Sequence, residues 1–122
     1  MPFDGKSLEA NSPVVTLLRE ARGRIERGFT HNRFMRDNVS PPQYCMIGAV
    51  INRPTWSARA TPTMLAAFGF MQRAIEHYQR TPWALTGLGG IAAFNNSHTQ
   101  QEVLAVFDKA IELAIADALV TA

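Results

Sequence analysis

Eight successive residues, Tyr44-Cys45-Met46-Ile47-Gly48-Ala49-Val50-Ile51, carry no charge. A helix over such a run is apolar on every face, and a helix of that kind has to be enclosed by other elements. Ser40-Pro41-Pro42 ahead of it supplies a cap and helix-opening prolines, and Asn52-Arg53-Pro54 closes it. The run is far shorter than the ~20 apolar residues a bilayer span requires, so no membrane partner is expected. It predicts a central buried helix, with Gly48 and Ala49 small enough to let another helix approach closely.

The rest of the chain supplies amphipathic helices to enclose it. Ser12-Pro13 opens the first, with Val14, Leu17, Leu18, Ala21 and Ile25 at helical spacing and Gly28 at its end. Gly23 inside it predicts a close helix crossing, because a mid-helix glycine costs about 1 kcal/mol against alanine. Thr61-Pro62 caps a helix with the stripe Met64, Phe68, Met71, Ile75 and Tyr78, stopped at Thr81-Pro82. Residues 83–93 are apolar but interrupted by Gly87, Gly89 and Gly90. They read either as a short helix from Thr81 and a tight turn or as a buried connector. Phe94-Asn95-Asn96 then leads into the last helix, where Thr99 and Glu102 form a capping box. Val103, Val106, Phe107, Ala110, Leu113, Ala114 and Ala118 give that helix a core face, widened by Leu104, Ile111 and Ile115. So broad a face implies deep packing or a homodimer seam.

No alternating strand pattern, hairpin turn or repeat is present. The expected fold is therefore all-α: a compact bundle of about four helices with irregular connectors at 29–39 and around the glycines. Residues 1–12 read as a flexible arm and 13–122 as one domain. A chain of 122 residues buries roughly two-thirds of its unfolded surface, enough for one core. With 47% apolar and 18% charged residues it is not a disordered chain. A single cysteine and the lack of a cationic-then-apolar leader over Met1–Ser12 point to the cytoplasm.

Chemistry has few candidates. Cys45 would be a nucleophile if the helix N-terminus and an imidazole lowered its pKa. His77 or His98 would then serve as base and Asn95 as orienter. Free cysteines are more often small buried hydrophobes, and that is the reading preferred here. No metal-ligand spacing and no cofactor motif occurs; Gly87-Leu88-Gly89-Gly90 lacks both the preceding strand and the Gly-Lys-Ser/Thr end of a phosphate loop.

Charge is uneven. Residues 1–60 hold Lys6 and eight arginines against five acids, whereas 61–122 hold Arg73, Arg80 and Lys109 against five. Within the first helix Glu20 pairs with Arg24 and Arg22 with Glu26 at i,i+4 spacing. Arg19, Arg22, Arg24, Arg27, Arg33 and Arg36 could line a nucleic-acid backbone. No helix, however, presents the polar face that reads a groove.

Tyr44-Cys45-x-x-Gly48-Ala49 and Phe94-Asn95-Asn96 resemble the paired motifs of a family of small bacterial and phage proteins, a domain of unknown function. In that family a Tyr-Cys-x-x-Gly-Ala helix is followed by a Trp-Asn-Asp turn and a Glu-Val-rich last helix. Here Phe94 replaces the tryptophan, Asn96 replaces the aspartate, and Glu102-Val103-Leu104 follows at the expected distance. The resemblance covers about residues 14–115 and implies an all-helical domain without an assigned activity. If the aspartate were catalytic, Asn96 would weaken a catalytic reading; a buried Asn95 pinning the Cys45 helix to the last helix is the structural alternative.

The functional expectation is a non-enzymatic interaction protein. Aromatic and arginine side chains interleaved in the first helix and the loops (Arg19, Arg22, Arg27, Phe29, Arg33, Phe34, Arg36 and Trp56) would contact a protein partner. The resemblance adds a phage- or bacterium-encoded inhibitor or regulator of a host protein. The alternatives are an enzyme centred on Cys45 and a nucleic-acid-binding protein using the basic first half.

Overall fold

The computed structural model describes residues 12–53, 60–79 and 87–121. The first helix, α1 (Pro13–Arg27), starts where Ser12 Oγ accepts the N–H of Val15 at 3.3 Å, with proline in the first turn. It buries Val15, Leu18, Ala21 and Ile25. Two-residue strands β1 (Met35–Arg36) and β2 (Gln43–Tyr44) follow, then α2 (Met46–Ile51), α3 (Pro62–Gln79), α4 (Gly87–Ser97) and α5 (Gln100–Thr121). Thr61 Oγ1 accepts the Met64 N–H at 3.1 Å to cap α3. The capping box opens α5 reciprocally: Glu102 N–H donates to Thr99 Oγ1 at 3.2 Å, and Thr99 N–H to Glu102 Oε1 at 2.9 Å.

Helices α1, α3 and α5 pack pairwise into a three-helix core. Helix α2 lies on α1 and α3, and α4 bridges α3 and α2. Every residue of α2 is buried, as its all-apolar sequence requires. Much of the broad face of α5 packs within the chain: Val103, Val106, Phe107, Ala110, Ile111 and Ala114 are buried, and Leu104, Leu113, Ile115 and Ala118 are half-buried. Full burial of a side chain such as Phe107 or Leu18 contributes about 1.5–3 kcal/mol. No helix among the described residues is long and apolar enough to cross a membrane.

The structure departs from the sequence reading in four places. The described residues form five helices rather than about four, because 87–97 is helical despite its glycines. Consequently Phe94-Asn95-Asn96 is the last turn of α4, not a turn leading into α5. Helix α2 begins at Met46, since Gln43 and Tyr44 are extended: Met35 faces Tyr44 and Arg36 faces Gln43 in an antiparallel pair. Tyr44 also bonds the end of α1, its N–H donating to Gly28 O at 2.9 Å and its O accepting Thr30 N–H at 3.0 Å. Those long-range bonds outcompete the helix start that the prolines suggest. Finally, Gly23 marks no helix crossing; a Cβ there would meet only the side chain of Arg27. The N-terminal arm (apart from Ser12), Trp56, Thr81-Pro82 and Trp83 lie outside the described residues.

Candidate functional site

The connector between α1 and α2 is anchored over residues 28–36 and 42–44 by backbone contacts, some of which demand particular residues. A Cβ at Gly28 would overlap the carbonyl oxygen of Pro42, and one at Gly48 would overlap the carbonyl oxygen of Phe34. The connector therefore crosses directly over the first turn of α2. Cys45 secures the crossing. Its N–H donates to Phe34 O at 3.0 Å, and its Sγ, at the N-cap of α2, accepts the Gly48 N–H at 3.3 Å. Arg24 holds the far end of α2, donating to Ala49 O at 2.7 Å. Asn52, with φ 55°, closes α2 in the left-handed region that asparagine tolerates.

Asn95 is the second anchor. It is 1% exposed and its amide is nearly saturated. Oδ1 accepts Met46 N–H at 3.0 Å, while Nδ2 donates to Thr30 O at 3.1 Å and to Asn96 Oδ1 at 3.3 Å. Asn96 Oδ1 also accepts Asn32 N–H at 2.8 Å. The backbone N–H partners fix the orientation of both amides, because only the oxygen can face a donor. Asn95 thus pins α2 and the connector to α4, not α2 to the last helix. Nearby, Gln100 Nε2 donates to Ile25 O at 2.8 Å and caps the end of α1.

The two motifs meet across a cavity of about 250 Å³. Cys45, Ile47 and Asn95, all buried, form its floor. Phe34 and Ala92, half-buried, form its walls, and Asn32, Arg33 and Asn96 stand exposed at its mouth. Asn32 adopts φ 62°. A second cavity, of about 220 Å³, lies between α3 and α4 against Ile75, Glu76 and Phe94, away from the connector anchors.

Of the proposed catalytic set, Cys45 and Asn95 come together and the imidazoles do not join them. Burial pushes the Cys45 thiol pKa up, against the lowering effect of the Gly48 N–H. His77 is exposed on α3. His98 stacks on Phe94 with centroids 3.7 Å apart, and its Nδ1 lies 2.7 Å from Phe94 O. His31 Nε2 lies 2.9 Å from His98 O, tying the connector to the α4–α5 junction. Among the described residues no group of three or more His, Cys, Asp or Glu side chains is placed to hold a metal ion.

The arginines separate into distinct roles. Arg22 donates to Asp108 at 2.6 Å and to Glu26 at 2.9 Å, joining α1 to α5; the Asp108 bond leads in raising its pKa. Glu20 stands 3.8 Å from Arg24. Arg19 and Arg27 are exposed on α1. Arg33 is exposed at the cavity mouth, and Arg36 is half-buried in β1, its buried Nε without a partner among the described residues. Phe29 is half-buried, edge-on to His31 at 4.9 Å.

Sequence reasoning singled out Cys45, Gly48, Asn95 and Asn96 but missed Asn32, Ile47, Ala92 and Gln100. The one available signal was His31-Asn32 in a polar connector, since asparagine is enriched at positive φ.

Fold and site together define a small, mostly helical protein in which two motifs fasten a surface connector over a buried helix. The chain belongs to a family of unknown function, DUF6197, which matches residues 9–113. No curated protein and no solved structure matches it.

Proposed function

We propose that this is a non-enzymatic interaction protein that presents the connector 28–44 to a protein partner. The observation that carries the reading is the commitment of the motif atoms. Asn95 Nδ2 and Asn96 Oδ1 bond the connector backbone at Thr30 and Asn32, while Asn95 Oδ1 and the Cys45 sulfur bond the first turn of α2 beneath it. A fixed backbone lowers the ordering cost of binding. It holds His31, Asn32 and Arg33 outward, with half-buried Phe34 beside them. Arginine next to an aromatic is a composition enriched where partners bind. A buried thiol with a raised pKa is a poor nucleophile, and pairing of Arg22 with acids breaks up the cationic strip a nucleic acid would use. In a bacterium or phage the partner would be a host protein that this chain inhibits or regulates.

Affinity capture from the native host, comparing the natural chain with Arg33→Glu, tests the reading. A protein retained by the natural chain and lost by a variant of unchanged circular dichroism and melting temperature is the expected outcome. Equal capture by both, or a turnover activity abolished by alkylation of Cys45, would overturn it.

A further inference from the structure

We infer that the cavity beneath the connector is a binding site for a carboxylate on a short apolar stem, supplied by an acidic or chain-terminal residue of the partner. The inference rests on the interaction reading above and adds to it the chemistry of what is recognised.

The polarity of the mouth carries the argument. Asn96 Oδ1 already accepts two hydrogen bonds, from Asn32 N–H and Asn95 Nδ2. A carbonyl oxygen has two lone pairs, so the side chain of Asn96 has only its Nδ2 donors left to offer. Arg33 beside it is a donor and nothing else. These two groups come from different elements, the connector and the end of α4, and both line the same opening. No carboxylate lines it among the described residues. A mouth built from an amide N–H pair and a guanidinium selects an acceptor, and a planar carboxylate is the acceptor that a guanidinium fork matches. Asn32, the third residue there, has its backbone N–H tied down and contributes a neutral side chain.

Below the mouth the lining changes character. Phe34, Cys45, Ile47 and Ala92 are apolar, and Asn95 on the floor has no free donor. Apart from one lone pair on Asn95 Oδ1 and the weak S–H donor of Cys45, that depth suits a short hydrocarbon. At about 250 Å³ the space is below the ~300–1,000 Å³ of drug-sized pockets, which limits the occupant to about one side chain. Because the donors sit on two elements, the occupant bridges α4 to the connector.

The test uses sodium isovalerate as the smallest stem-plus-carboxylate probe, with 3-methylbutanol as its uncharged counterpart and sodium chloride at matched ionic strength. Each is titrated into the 15N-labelled protein by NMR. The expected result is saturable shifts confined to residues 32–34, 45–47 and 92–96 for isovalerate, with the alcohol weaker by about tenfold or more. Asn96→Asp keeps both accepted hydrogen bonds, removes the donors and adds a like charge, so it should weaken isovalerate by about tenfold or more while leaving the spectrum folded. Should Asn96→Asp disturb the fold, Arg33→Gln, at an exposed position, makes the same measurement. No saturable shift, equal binding of acid and alcohol, or indifference to the Arg33 change would overturn the inference. If isovalerate fails while Arg33→Glu still abolishes partner capture, the interaction reading stands and this one falls. If isovalerate binds but capture ignores Arg33→Glu, the carboxylate belongs to a free small acid and the partner reading falls.

Discussion

Asn95 Oδ1 accepts the backbone N–H of Met46 at 3.0 Å across 49 residues of chain. The N–H belongs to the first turn of a six-residue helix, where backbone donors have no intrahelical partner. Its other hand reaches Thr30 O. Asn95→Ala therefore strands a donor and an acceptor in a site that is 1% exposed. Each stranded group costs about 1–3 kcal/mol. Urea unfolding should show a loss of about 2–4 kcal/mol with little change in the denaturant slope. A loss within about 0.5 kcal/mol, the range of ordinary surface substitutions, would mean the two bonds do not form.

Gly48→Ala places a methyl group on the Phe34 carbonyl, which is backbone and cannot rotate away. The connector has to lift or α2 has to shift. Overpacking of this kind costs about 1–3 kcal/mol, and the Cys45 N–H bond to Phe34 O should be lost with it. Faster amide hydrogen exchange at Cys45, compared with the natural chain, checks that displacement separately from global stability.

Cys45 gives a pH-dependent prediction. Its folded pKa is raised above the ordinary 9.0, chiefly by burial. The folded state holds the thiol proton more tightly, so this stabilisation is complete below the ordinary value and is lost as pH rises through the folded one. Cys45→Ser preserves a good N-cap and removes the thiol titration. Stability of the natural chain relative to Cys45→Ser should decline above about pH 9. Iodoacetamide should leave the folded protein unmodified at neutral pH and label it once urea unfolds it.

Glu102 works in the opposite direction. Its pKa is lowered from 4.5, first by the Thr99 N–H of the capping box and then by the Tyr78 hydroxyl, which donates to Oε2 at 2.9 Å. A depressed carboxylate stabilises the fold above its ordinary value, and that contribution disappears as pH falls through the folded value. In Tyr78→Phe, NMR titration should find Glu102 closer to 4.5 but still below it, held by the Thr99 bond. The advantage of the natural chain over Tyr78→Phe should vanish in acid. An unchanged Glu102 titration would remove Tyr78 from the account.

Arg22 spans 86 residues to reach Asp108, yet both side chains are substantially exposed, at 31% and 59%. Exposed ion pairs contribute about 0–1 kcal/mol. Arg22→Ala should cost no more than about 1 kcal/mol in chemical denaturation, far less than Asn95→Ala. The comparison ranks a conspicuous surface link against an inconspicuous buried one.

The caps at Ser12, Thr61 and Thr99–Glu102 were readable because each depends on residues within one turn of one another. So was the burial of α2, which follows from composition alone. What escaped the sequence was set by partners far along the chain. Tyr44 is extended because Gly28 and Thr30 occupy its backbone N–H and C=O, with Met35 opposite it in the strand pair, and nothing within residues 40–46 reveals them. Gly87, Gly89 and Gly90 disfavour a helix locally, yet Ile91, Phe94 and Asn95 are buried on α4 and override them. At the site, Cys45 and Asn95 stood out individually, but their partnership is a matter of backbone atoms, which carry no residue identity. Gly48 was read as room for another helix; the space is taken instead by a stretch of connector.

The glycines of α4 have a further effect. Gly89 and Gly90 each weaken their helical position by about 1 kcal/mol against alanine, and they share a short element with the amides that hold the connector down. Regions of low local stability open on their own, ahead of global unfolding. Unzipping of this one element would release Met46 and Asn32 together, giving the connector an opening event of its own. Ligand occupancy that bridges the two sides would slow that event.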